Sequence, residues 1–210
     1  MAGRSGADHT VTTIEALEAL YDTPLPNAVL KEIDHVNAPY RALIEAAPFV
    51  VIATGGADGL DCSPRGDPAG FVRVADEKTL LIPDRRGNNR IDSLRNLIVD
   101  PRIALLFLIP GCDETLRVNG RAVISTDPAL TESFRLENKT PRTVIVVTVE
   151  RVYFQCPKAL VRSHLWDPAR RVDRKSLPSS GAILAAASSG RIDAAEHDRT
   201  YPERQKATLY

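Results

Sequence analysis

Between Pro48 and Phe154 the apolar residues fall into short, strand-length runs separated by tight turns, and this constrains the fold more than any other feature. Phe49–Thr54 is a β-branched run closed by Gly55-Gly56-Ala57-Asp58-Gly59, whose Asp-Gly reads as a hairpin turn, with Leu60–Pro64 returning. Phe71–Val74 and Thr79–Ile82 form a second pair. Arg102–Ile109 is apolar at nearly every position, as a central strand is. Glu114–Ile124 alternates, with Gly120 placed to make a bulge, and Thr143–Phe154 is the last long run. Short turns favour antiparallel neighbours. Regular strand–helix alternation and a glycine-rich first turn, which a doubly wound sheet needs, are both missing. The pattern predicts a mainly β fold with peripheral helices, a small Greek-key barrel.

Helical periodicity lies outside that core. Thr12 and Thr13 are placed to cap a helix over Ile14–Leu20, stopped near Pro24 and Pro26. Ile33–Ala47 carries apolar residues near a 3.6 period, with an interruption or restart at Pro39. Asp92–Val99 reads as a crossover helix, Asp127-Pro128 opens a short one to about Arg135, and Pro157–Trp166 reads as another. Beyond Asp167-Pro168 the composition turns charged, then Ala/Ser-rich and helical over Leu177–Ser189, then polar. The expected organisation is a disordered residue 1–11 segment, a 12–168 domain, and a 169–210 tail packing on the body or on a partner subunit.

Lys+Arg and Asp+Glu balance at 27 each, so no overall field draws the chain to nucleic acid or an anionic membrane. No apolar run is long enough to span a bilayer, and residues 1–10 lack the apolar core of a secretory signal. Cys62, Cys112 and Cys156 are odd in number and widely spaced, which fits reduced thiols in a cytoplasm. The four histidines show no metal-ligand spacing, so no metal site is expected.

The chemistry concentrates in Pro83-Asp84-Arg85-Arg86-Gly87-Asn88-Asn89-Arg90-Ile91-Asp92, a turn between a strand and a helix. The first amides of a helix lack backbone partners, and its dipole favours anions there. Arg85, Arg86 and Arg90 add forked donors suited to phosphate oxygens. The same residues also suit a solvated turn in which Asn89 caps the helix and Asp92 answers near N3.

Four segments taken in order carry a resemblance. They are Cys62-Ser63-Pro64-Arg65-Gly66-Asp67-Pro68, Leu81–Arg90, Asp100-Pro101 before an apolar strand, and Thr115–Ala122. Together they resemble the pyridoxamine 5′-phosphate oxidase-related FMN-binding split-barrel family, in a bacterial branch with S-P-R-G-D and P-D-R-x-G-N motifs, over about Thr12–Trp166. The resemblance implies a six-stranded split barrel and a homodimer with two interfacial FMN sites. Ser63 and Arg65 would lie on the strand side of the phosphate and ribityl chain. Asp84, Asn88, Asn89 and Arg90 would form the turn and helix end, with Asp84 accepting from a ribityl hydroxyl or orienting an arginine. Leu116, Arg117 and Asn119 would face the ring or ribityl hydroxyls. Lys158, Arg162, Ser163 and Trp166 would belong to a late segment closing over the flavin.

Each has a plainer reading as well. Asn119 suits a bulge, Trp166 a packing contact, Lys158 and Arg162 a solvated stripe, and Cys156 a buried strand-end thiol. The Arg/His-bearing C-terminal segments of true pyridoxamine phosphate oxidases are not found, and the tail reads Ala207-Thr208-Leu209-Tyr210. The vitamin B6 reaction is therefore not expected. The implied activity is an FMN-dependent oxidation or reduction of a small molecule, with NADH or NADPH as candidate donor and Arg117 or Lys158 near the flavin N1. The alternative is a module that binds flavin, deazaflavin or haem without turnover.

Overall fold

A computed structural model of the chain describes residues 9–210. Residues 1–8 of the expected disordered segment lie outside that range. The chain divides into one unit ending at Glu32 and a second spanning Ile33–Tyr210.

The first unit holds two short helices, α1 (Ile14–Glu18) and α2 (Pro26–Leu30). The Thr13 hydroxyl accepts from the Ala16 amide at 3.2 Å, capping α1 as its sequence predicts. Pro26, expected only as a stop, opens α2, because proline at a first helical position loses no intrahelical bond.

The second unit is built on one seven-stranded antiparallel sheet. Its strands are β1 (Phe49–Gly56), β2 (Gly59–Gly66), β3 (Arg73–Asp76), β4 (Thr79–Pro83), β5 (Arg102–Leu108), β6 (Thr115–Ser125) and β7 (Val144–Gln155). Their order is β2-β1-β5-β6-β7-β4-β3. The fold is mainly β with peripheral helices, as expected, though seven strands join the sheet where six were implied.

The helices are α3 (Ala38–Ala46), α4 (Asp92–Val99), α5 (Pro128–Ser133), α6 (Lys158–Ser163), α7 (Ser180–Ala187) and α8 (Ala194–Ala207). The second predicted helix starts at Ala38, not Ile33. Pro39 is tolerated only in a first turn, and the Asn37 side chain caps there by accepting from the Tyr40 amide. Ile33 instead forms a β-bridge with Val152.

One sheet face makes the core. Val50, Ile52, Leu80, Ile82, Leu105, Phe107, Leu116, Val118, Ile145, Val147 and Val152 are all at most 2% exposed. At the β6–β7 pairing the register shifts between Asn119 and Gly120. A Cβ on Gly120 would lie 2.0 Å from the Thr148 carbonyl oxygen, so this bulge requires glycine.

The α7–α8 pair shows why the polar end of the chain is helical. The Asp193 side chain accepts from the Glu196 amide at 2.9 Å and starts α8. Asp198 of α8 accepts from the Gly181 amide at 2.7 Å, at the start of α7. Hydrogen bonds to its ionised form, from Ser179 first and then Gly181, hold the Asp198 carboxyl below its ordinary value.

Candidate functional site

On β2 the side chains alternate, so Asp61, Ser63 and Arg65 share one half-buried face while Leu60, Cys62 and Pro64 are exposed. They stand opposite Thr54, Ile52 and Val50 of β1, all on the core side. Helix α4 lies over the Asp61 end. Ser93 Oγ donates to Asp61 at 2.8 Å, and Asn96 Nδ2 donates to Thr54 Oγ1 at 3.1 Å. Gly56 permits this approach, since a Cβ there would meet Asn96 Oδ1 at 2.1 Å.

Arg65 lies at the other end of that face. Its Nη1 donates to Ser63 Oγ at 2.5 Å and to the Pro64 carbonyl at 2.9 Å. Its Nε and Nη2 make no hydrogen bond among the described residues, so a half-buried fork is held on one side and open on the other. Asp84, just past β4, is the neighbouring acid. Burial pushes its carboxyl above the ordinary value, and the Arg65 charge partly opposes that shift. The next pair along ties the two strand ends together: Arg85 Nε donates to Asp67 at 2.6 Å, with the acid 1% exposed.

A group whose pKa is raised by folding supports the fold below its unfolded value and loses that support as pH rises through the folded value. Asp84→Asn is therefore expected to raise the melting temperature at neutral pH. Repeating the melting curves below the ordinary value of 3.8 should erase the gain, and a gain independent of pH would contradict this assignment.

The turn from Arg86 to Ile91 is exposed and unusual in its backbone. Asn89 and Ile91 have φ of 60° and 54°, and a β-branched residue in that region costs about 1–3 kcal/mol. Ile91, not Asn89, occupies the cap position of α4, and no side chain caps that helix. The expected Asn89 cap is thus replaced. Asn88 Oδ1 accepts from the Arg90 amide at 3.0 Å, and this local turn sets the path into the helix. Arg90 is 73% exposed on its side chain and pairs with Asp92 at 2.7 Å.

The β6 residues lie elsewhere. Leu116 is 1% exposed in the core, so its side chain packs there. Arg117 and Asn119 project from the opposite sheet face. Arg117 is opposite Leu106 of β5, which is opposite Val51 of β1, which is opposite Pro64 of β2. Three strand spacings separate β6 from β2, roughly 14 Å. Arg117 Nη1 donates to the Tyr153 hydroxyl at 3.4 Å.

The late segment is divided. Lys158, Arg162 and Ser163 are exposed on α6, with the Ser163 hydroxyl donating to the Leu160 carbonyl at 3.0 Å. Trp166 Nε1 donates to the Cys112 carbonyl at 2.7 Å, which fastens the segment to the β5–β6 turn. One protomer therefore brings together Ser63, Arg65 and Asp84, while Arg117 and Asn119 lie on the opposite sheet face.

Asp61, Asp67 and Ser93 are structural partners that sequence reasoning did not single out as site residues; Asp67 belongs to the S-P-R-G-D motif, while Asp61 and Ser93 lie in no motif. Arg85, expected among the forked phosphate donors, is instead engaged by Asp67 and the Phe134 carbonyl. Surface hollows of about 340 Å³ at Gly55–Leu60, Val99, Asp100 and Arg102, and of about 510 Å³ along Leu17–Pro24, are lined by neither Arg65 nor Asp84. Among the described residues no cluster of His, Cys, Asp or Glu could hold a metal, and no helix is long and apolar enough to cross a membrane.

No curated protein sequence matches the chain. HupZ from Group A Streptococcus shares 20% identity over 56% of this chain and 91% of its own, with a TM-score of 0.46. An FMN-binding protein from Syntrophomonas wolfei shares 12% identity over 55% of this chain and 83% of its own, with a TM-score of 0.43. General Stress Protein 26 from Bacillus anthracis shares 18% over 54% and 88%, with a TM-score of 0.40. The profile of the pyridoxamine 5′-phosphate oxidase family matches residues 37–156, which span β1 to β7 and include Ser63, Arg65, Asp84 and the α4 turn. Since that match covers more than half of the chain, the protein belongs to the pyridoxamine 5′-phosphate oxidase family.

Proposed function

We propose that the protein binds FMN between two copies of itself and acts as an FMN-dependent oxidoreductase on a small molecule. The observation that carries this reading is the Arg65 guanidinium, fixed through Nη1 by Ser63 and Pro64 with its other donors open, on the β2 face whose far end, Asp61, meets the first turn of a helix that has no side-chain cap. A phosphate monoester carries nearly two negative charges and needs several cations or N–H donors when buried. The donor set fits. Ser63, Arg65, Asn88, Asn89 and the first amides of α4 would hold the phosphate. Arg90 could join by leaving Asp92, an exchange of small cost for an exposed pair. Asp84 would orient Arg65.

Two further facts favour a second copy. Ser63/Arg65 and Arg117/Asn119 lie on opposite faces of one sheet, so a ligand contacted by both sets needs two chains. The outer face that carries Arg117 is also apolar and only half covered. Phe49, Val51, Ala53, Ala104, Leu106 and Leu108 line it, and Phe49 is 38% exposed.

When bound, the flavin supplies the two-electron chemistry, while the protein orients it and sets its electrostatics. A cation from Arg117 or Lys158 near the ring would favour the reduced, anionic form.

The test is to purify the protein, identify any extracted cofactor by mass, and measure the assembly by sedimentation. The expected result is a dimer that carries or takes up FMN and bleaches with NADH or NADPH. A monomer that leaves added FMN unbound would refute the proposal, and FMN bound without reduction by any donor would refute its oxidoreductase part.

A further inference from the structure

The residues around Arg65 do not account for one buried acid, Asp67, which lies two positions beyond it with its side chain 1% exposed. Its two oxygens have separate partners. Arg85 Nε donates to Oδ2 at 2.6 Å, and the Tyr210 hydroxyl donates to Oδ1 at 3.0 Å, from 143 residues away in sequence. Arg85 Nη1 also donates to the Phe134 carbonyl at 2.7 Å, and its guanidinium stands 5.9 Å from the Tyr210 ring. Lys139 Nζ donates to the Tyr210 carbonyl at 2.6 Å. The segment between Trp166, fastened to Cys112, and Tyr210, fastened to Asp67, is thus tied to the barrel unit at both ends.

We infer that Tyr210 is a positioning residue: a latch from the tail that holds Asp67 and Arg85, and through them the two backbone segments that present Arg65 and Asp84. The connection is short on both sides. Asp67 closes the strand end that carries Arg65, and its amide is held by the Pro48 carbonyl at 3.1 Å. Arg85 follows Asp84, whose amide is held by the Thr143 carbonyl at 3.0 Å. A carboxylate this buried needs both oxygens satisfied, and removing the phenol hydroxyl leaves Oδ1 without a partner among the described residues. The Asp67–Arg85 pair then relaxes, and with it the spacing between the β2 end and the α4 turn.

The variant that tests this is Tyr210→Phe, which keeps the ring beside Arg85 and removes only the hydroxyl. In the unliganded protein, amide exchange at Asp67, Asp84 and Arg90 should quicken roughly fivefold, the scale set by one lost hydrogen bond. The second readout rests on the FMN proposal and compares FMN with riboflavin, which lacks the phosphate. FMN affinity should fall roughly fivefold while riboflavin affinity stays within about twofold, a split that general loosening of the fold would not give. Unchanged exchange overturns the latch, as does faster exchange with equal effects on the two flavins. If the wild-type protein binds neither flavin, the FMN reading fails, and exchange alone decides the latch.

Discussion

Arg65→Ala is expected to weaken FMN binding by at least about a hundredfold and to leave riboflavin binding nearly unchanged. Two effects set that size. A half-buried guanidinium that meets phosphate through charge-assisted, forked bonds contributes on the order of 3 kcal/mol, which is about two decades in affinity. The arginine is also held in place before any ligand arrives, by Ser63 at 2.5 Å and Pro64 at 2.9 Å, so little side-chain freedom is lost on binding. Arg65→Lys should recover only part of the loss, because an ammonium cannot present the same fork. Arg90→Ala should cost much less. That side chain is 73% exposed and must leave Asp92 to take part. Fluorescence titration with both flavins separates these cases. Equal FMN affinity in Arg65→Ala and wild type would remove Arg65 from the site.

The largest stability effect is expected at Gly120. Gly120→Ala places a Cβ 2.0 Å from the Thr148 carbonyl oxygen and 3.0 Å from its carbonyl carbon. These are backbone atoms in the neighbouring strand, so no rotamer change relieves the contact. Only opening the β6–β7 ladder at its bulge does. Overpacking of that kind costs about 3 kcal/mol, or roughly 6–12 °C in melting temperature for a chain of this size. Gly87→Ala is the matched control, since a Cβ there meets nothing within 4 Å. The two substitutions remove the same backbone freedom from the unfolded chain, so their difference reports the clash. Melting curves that shift equally for both would show that the bulge accommodates a side chain.

The bulge itself was legible in the sequence, because a lone glycine inside an alternating strand has few other roles. So were the β1–β2 hairpin and α4, whose bounds match the predicted Asp92–Val99 run. Alternation and turn chemistry are local, and local signals survive in a single sequence. What the sequence concealed depended on distant partners. Helix α8 contains Pro202 and few apolar residues, and it is supported by the Asp193 cap and by Asp198 reaching back to Gly181. Nothing in residues 194–207 alone announces that support.

The site divides in the same manner. Ser63, Arg65 and Asp84 could be picked out from motifs, and their convergence follows from the β2 and β4 ends meeting at the Asp67–Arg85 pair. The pairing of Asp67 with Tyr210 crosses 143 residues and has no motif. The cap of α4 misled for a further reason. Asn89 is a good capping residue by type, but Asn88 turns the backbone first and places Ile91 at the cap position. Residue preference is a weak guide where two adjacent residues compete for the same role.

A crystal structure of the protein grown with FMN tests the central assignment most directly. The flavin phosphate is expected within hydrogen-bond distance of the Arg65 guanidinium and the Ser63 hydroxyl, beside the first turn of α4. A phosphate seated elsewhere, with Arg65 still bonded only to Ser63 and Pro64, would contradict it.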